Sequence, residues 1–207
     1  MLRMAKGPLN SRIIIGLCNN NHSEVRMRAI ELVDRISRSI AIKLLNVLSN
    51  DSDPLVRTSV MEKAVELLNN NNAILHSIFV RGMKDADANV RSYAALGLGE
   101  SHQIAGLNQL HKSLIIERSG SVKLSIYYSL YILGQNEYIQ YVIKYLQSRR
   151  YTNRCAAANL LKDVHDADRA IVIMALKSRL QVENTIAVKS SINNALTQLS
   201  KHPFVNT

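Results

Sequence analysis

A basic residue returns at a nearly fixed interval along the chain, and this recurrence limits the possible folds more than any other feature. Val25-Arg26, Val56-Arg57, Val90-Arg91, Val122-Lys123 and Val188-Lys189 share one pattern, and Asn153-Arg154 fills the remaining gap with the basic residue kept. The intervals between the basic residues are 31, 34, 32, 31 and 35. A period in this range marks a stack of supersecondary units, each too small to bury its own apolar face and each covered by its neighbours.

Each dipeptide opens an amphipathic segment. Positions four, eight and eleven after the Val are mostly apolar, as in Val60, Ala64 and Leu67 or Ile192, Leu196 and Leu199, which is one face of a 3.6-residue helix. Three residues before the Val stand Asp53, Asp87, Ser119 and Thr185, whose side chains can accept from the free amides of a first turn. Pro54 follows Asp53 at the first helical position, where proline is tolerated. His22 and Arg150 hold the cap position in two repeats, so Asn21 or Ser23 is the candidate cap of the first. Between these helices lie further apolar-periodic segments, at 40–48, 74–83, 104–114, 138–146 and 171–180. The spacing predicts an all-α chain, one array over 1–207. It holds about six two-helix repeats, at 8–37, 39–69, 73–100, 104–134, 137–164 and 168–200, with Pro8 opening the first.

The stretches Asp53-Pro-Leu-Val-Arg-Thr-Ser-Val-Met-Glu-Lys-Ala and Asp87-Ala-Asn-Val-Arg-Ser-Tyr-Ala-Ala-Leu-Gly resemble HEAT repeats, in particular the short bacterial kind named after phycobilisome bilin lyases. The resemblance implies a right-handed α-solenoid and covers nearly the whole chain. It also implies a ladder in which a loop Asp and a helix Arg hydrogen-bond along the array, Asp53 with Arg57 and Asp87 with Arg91. Arg26, Lys123, Arg154 and Lys189 hold the remaining basic positions, with no Asp at the cap position before Lys123 or Lys189. For function the resemblance is unspecific, because such arrays serve as scaffolds, enzyme subunits and DNA-binding enzymes.

Charge needs reading against that ladder. With 26 Lys and Arg against 16 Asp and Glu, the formal charge is +10, which raises nucleic acid, acidic proteins and anionic membrane surfaces as partners. Taking the six ladder positions from the 26 leaves 20 basic residues against 16 acidic ones. Positions two, five, six and nine after the Val point away from the core face, and Lys162 is the one basic residue among them. A groove built for a phosphate backbone is lined with Arg and Lys, so a nucleic-acid partner is disfavoured. The longest apolar runs are short ones such as Ile13-Ile14-Ile15, which excludes a spanning helix and gives the expectation of no membrane partner. Residues 13–18 are too short for a signal-peptide core, and a cytoplasmic location is expected.

Catalytic motifs are missing. No Gly-rich phosphate loop, HExxH or GxSxG occurs, Cys18 and Cys155 lie far apart without ligand spacing, and Asp163, His165, Asp166 and Asp168 fall in a link where polar residues are expected. No catalytic residue, metal or cofactor is therefore expected.

The candidate contacts are of two kinds. Arg28 and Arg35, with Arg3, Lys6, Arg12 and Arg38, form a basic patch in the first repeat. Seven of the eight tyrosines lie between Tyr127 and Tyr151. Leu124, Tyr127, Tyr128 and Tyr131 crowd the side opposite Val122, Ile126 and Leu130, so the helix is either buried on both sides or presents one to a partner. Tyr128 and Tyr131 are the candidate contacts on the second reading. Tyr138, Tyr141 and Tyr145 share a face of the next helix, and Arg149, Arg150 and Tyr151 follow, an aromatic-basic patch suited to a protein partner. Leu9 and Phe204 are further apolar residues toward the two ends.

Three functions remain. The first is a non-enzymatic scaffold or adaptor binding another protein, an acidic one among the options. The second is a nucleic-acid-binding protein or relative of the HEAT-like alkylpurine DNA glycosylases, whose cleft tryptophans have no counterpart in a chain without Trp. The third, a bilin lyase-like subunit, rests on the repeat subtype alone.

Overall fold

The structure, a computed structural model, describes residues 11–68 and 73–201. Arg3, Lys6, Pro8, Leu9 and Phe204 lie outside the described residues, as does residue 69 at the end of the second repeat. Within them the chain forms twelve α-helices and no strand. These are α1 (Ser11–Cys18), α2 (Ser23–Glu31), α3 (Arg38–Leu48), α4 (Pro54–Glu66), α5 (Ala73–Gly82), α6 (Ala88–Glu100), α7 (Ile104–Ile116), α8 (Gly120–Ile132), α9 (Ile139–Lys144), α10 (Tyr151–Leu161), α11 (Arg169–Val182) and α12 (Ile186–Lys201). None of the described helices is long and apolar enough to cross a membrane.

Two compact units divide the chain, Met1–Gln109 and Leu110–Thr207, so the division falls inside α7. In unit 1, α2, α4 and α6 lie side by side in one layer and α1, α3 and α5 back them in a second. In unit 2, α8, α10 and α12 form the corresponding layer, with α9 and α11 behind it.

The helix starts follow from the caps. Asp53 accepts from Leu55 N at 2.8 Å, and Asp87 from Asn89 N at 2.8 Å and Val90 N at 3.2 Å, so each carboxylate satisfies orphan amides of the first turn. His22, Ser119 and Arg150 stand at cap positions without a side-chain cap bond. Val56, Val90, Val122 and Val188 are fully buried, and Asn153 takes the same place at 8% exposure.

The layer helices are buried on more than one side. Ile30, Met61, Ala95, Leu124 and Ala158, placed by helical spacing on the side away from the core, are at most 1% exposed. A layer helix packs against a like helix at its side as well as against the second layer behind it, so its apolar residues are not confined to one stripe. Small residues let α6 approach its neighbours: a Cβ on Gly97 would stand inside the ring of Phe79, which is itself fully buried.

Candidate aromatic contact surface and the arginine ladder

The ladder exists, with carboxylates other than those expected. Arg57 Nε and Nη2 donate to Asp85 at 2.7 and 2.8 Å, while its Nη1 donates to the carbonyls of Asp51 and Ser52 at 2.7 and 3.1 Å. Arg26 does the same with Asp51, both bonds 2.7 Å, and with the carbonyls of Asn20 and Asn21. Arg154 pairs with Glu183 at 2.8 and 3.0 Å and donates to the carbonyls of Ser148 and Arg149. Each arginine thus ties its own loop to the carboxylate of the next.

Asp53 is therefore not the partner of Arg57. The geometry explains the correction: Asp53 and Asp87 turn back over their own helices as caps, and the residue two positions earlier faces the preceding repeat. Asp51 accepts from Asp53 N, Asp85 from Asp87 N, Glu117 from Ser119 N and Glu183 from Thr185 N, at 2.7 to 2.9 Å. Arg91 likewise donates to its own loop, to the carbonyls of Asp85 and Ala86. Lys123 and Lys189 make no ion pair among the described residues, and Lys189 is exposed. Burial raises the Asp51 and Asp85 carboxyls, but the bonds from Arg26 or Arg57 and from the loop amides outweigh it and hold both below the usual range. Glu183 is held far lower, first by Arg154 and against its own burial, then by the Thr185 amide and Arg179.

Unit 2 gathers four tyrosines. Gly134, at φ 94°, ends α8 in the left-handed region that glycine tolerates, and the chain turns back into a short 3₁₀ segment, Asn136–Tyr138, and α9. Tyr138, Tyr141 and Tyr145, three and four residues apart, share one face, which meets Tyr127 of α8. Ring centroids of Tyr127 and Tyr141 are 4.9 Å apart at 23°, those of Tyr127 and Tyr138 5.9 Å at 23°, and Tyr138 and Tyr141 5.7 Å at 36°. Tyr145 lies 6.3 Å from Tyr127, and His111 of α7 meets Tyr138 edge-on at 6.0 Å. These separations are those of attractive aromatic pairs.

Tyr141 stays 49% exposed, and the four hydroxyls take no hydrogen bond among the described residues, so the cluster shows ring surface and polar tips outward. Burial raises the phenol pKa of Tyr127, Tyr138 and Tyr145, which keeps these hydroxyls protonated as donors. The rings stack on one another, leaving no slot between them for a flat ligand. Arg149 and Arg150 follow Tyr145 on the same segment, exposed and without an ion pair among the described residues.

Tyr128 and Tyr131 are not on that surface. They are 5% and 0% exposed, because α8 is covered on both sides. The Tyr131 hydroxyl donates to Asp168 Oδ2 at 2.9 Å and accepts from His165 N at 2.8 Å, and its ring lies 4.6 Å from the His165 ring. It fastens the link between α10 and α11. In unit 1, Arg28 is exposed and pairs with Glu31 at 2.9 Å, and Arg35 is half-buried in a 3₁₀ turn, Val33–Arg35. Among the described residues no three His, Cys, Asp or Glu side chains converge as a metal set.

No family model matches the chain, and no curated protein matches it in sequence. Among solved structures it is similar to the complex of CpcE and CpcF of phycocyanin lyase from Nostoc sp. PCC7120, at 16% identity over 96% of this chain and 98% of that one, with a TM-score of 0.52. Human deoxyhypusine hydroxylase in complex with glycerol shares 14% identity over 95% and 100% of the two chains, with a TM-score of 0.46, and an engineered protein 14% over 93% and 98%, at 0.47. At 16% identity the first likeness is one of architecture, and with the twelve helices and repeated ladder it makes the chain an all-α solenoid of helical repeats.

Proposed function

We propose that the chain is a non-enzymatic interaction module whose aromatic cluster in unit 2 contacts another protein. The supporting observation is the stack of Tyr127, Tyr138 and Tyr141, which braces the Tyr141 ring on one side and leaves it half-exposed, with its hydroxyl taking no hydrogen bond among the described residues. Rigid aromatics lose little conformational freedom on binding and dominate many protein interfaces. Arg149 and Arg150, exposed and without an ion pair among the described residues, favour an acidic partner. The phycocyanin lyase structure of similar fold is itself a complex of two proteins, in keeping with a solenoid that works by binding protein. A cytoplasmic location belongs to the same reading.

A photo-crosslinking residue placed at Tyr141 tests it, with one at exposed Asn159 of α10 as the control. Discrete adducts from position 141, weakened by Arg149→Glu with Arg150→Glu and absent from position 159, are expected in a lysate of the source cell. Equal labelling from both positions would remove the proposal. A duplex DNA binding curve at about 50 and 200 mM salt accompanies it, where steep salt dependence would point to nucleic acid instead.

A further inference from the structure

The edge of unit 2 that carries the ladder loops is unlike that of unit 1. Helices α7 and α11 end on large apolar residues and α10 and α12 begin on them. Ile115 and Ile116 are 84% and 79% exposed, Tyr151 52%, Val182 63% and Ile186 84%. The loops bearing them run side by side: Asn153 Nδ2 lies 3.2 Å from the Cβ position of Gly120, and Arg154 spans from the Ser148 and Arg149 carbonyls to Glu183. In unit 1 the positions that match Ile116 and Val182 carry Asn50 and Lys84, and those that match Tyr151 and Ile186 carry Pro54 and Ala88, while Val47 and Leu55 are the large apolar residues exposed near these loops.

The unit 2 edge is also basic. Arg118, Arg149 and Arg150 are exposed and make no ion pair among the described residues, whereas Glu183 is consumed by Arg154 and Arg179. Isoleucines that keep about four-fifths of their surface stand out as tips and do not line a groove, so the edge suits a surface that takes tips in. A second copy of the chain is a poor occupant, since it would set these arginines against their like. Several large apolar side chains left exposed along one edge are the kind of surface that marks an interaction site.

We propose that this edge docks on an anionic lipid surface, with Ile115, Ile116 and Ile186 entering the acyl boundary and Arg118, Arg149 and Arg150 meeting lipid phosphates. Tyr151 then lies at headgroup level, where a ring with a polar tip is favoured. Arginine's planar fork suits phosphate oxygens, and each cation near such a surface adds to the attraction. The short apolar runs that exclude a spanning helix do not bear on a contact of this kind, which needs only protruding side chains and charge.

Co-sedimentation with vesicles tests it, using phosphatidylcholine alone and phosphatidylcholine with about one third phosphatidylglycerol, at low and moderate salt. The intact chain should pellet with the anionic vesicles and not with the neutral ones. Ile116→Ser with Ile186→Ser should weaken the partition about tenfold or more, and Arg149→Gln with Arg150→Gln should remove most of its salt dependence. The isoleucines touch little of the protein, and far-UV circular dichroism checks that each variant folds. Failure to pellet, equal binding to neutral vesicles, or a serine variant that binds as tightly as the parent would overturn the proposal. A chain that ignores vesicles yet crosslinks from position 116 to a protein would also overturn it and assign the edge to a protein partner.

Discussion

Glu183→Ala removes the acceptor of the most buried ladder rung. The carboxylate is 1% exposed and takes two bonds from Arg154, two from Arg179 and one each from the Asn184 and Thr185 amides. Removing one partner of such a pair costs about 3–5 kcal/mol, because the remaining charge stays buried. Arg154 and Arg179 are 10% and 16% exposed, and Arg154 keeps its bonds to two loop carbonyls, so the lower end applies, about 3 kcal/mol. The chain has no Trp and seven of its eight tyrosines lie in unit 2, so tyrosine emission in a urea titration follows that unit, while Tyr93 reports from the other. With a slope of about 1–2 kcal/mol per molar urea, the midpoint should fall by about 2 M, whereas Arg28→Ala, at a 78% exposed pair, should move it hardly at all. The sign with pH follows from the depressed carboxyl: the rung stabilises unit 2 fully above the unfolded value of about 4.3 and loses that contribution progressively as pH falls below it. A Glu183→Ala unfolding free energy within about 0.5 kcal/mol of the parent's would refute the view that the ladder holds the repeats together.

Two further outcomes follow from burial. Tyr131→Phe should cost about 1–2 kcal/mol in the same titration, through lost bonds to Asp168 and the His165 amide, and should leave crosslinking from position 141 intact; a partner lost with the hydroxyl would return Tyr131 to the contact surface. Cys18 is 2% exposed and its thiol is pushed up to about 11 by burial, so at pH 8 a thiol reagent should reach half-buried Cys155 first and Cys18 only in urea. Two equally fast thiols in the native protein would contradict the packing of α1.

The all-helical repeat architecture and the places of Arg26, Arg57 and Arg154 were legible because they rest on spacing within single segments. The arginines' partners were not, since a loop of five residues holds two acidic groups, Asp51 and Asp53, and only the fold shows which one faces the neighbouring repeat. A usable signal existed: an acidic residue recurs two positions before the cap at Asp51, Asp85, Glu117 and Glu183. Tyr128 and Tyr131 were misplaced for a different reason. A single apolar stripe describes a helix with one packing partner, whereas α8 packs against both α9 and α10, and an apolar pattern on more than one side is the mark of that position. The Tyr138, Tyr141 and Tyr145 face was readable from its spacing, but the joining of Tyr127 to it depended on the turn at Gly134, a tertiary event.

The way Arg57 and Asp51 are placed gives the array a rule of splicing. The segment from residue 51 to residue 84 begins with an acceptor for the arginine before it and carries a donor for the acid after it, Asp85. A tandem copy of that segment would offer Asp51 to the first Arg57 and a second Arg57 to Asp85, so every bond across the seam is restored. Lengthening by whole periods therefore leaves no orphaned charge. A cut at any other spacing strands a guanidinium or a carboxylate, and the chain's length is in this sense quantised in repeats.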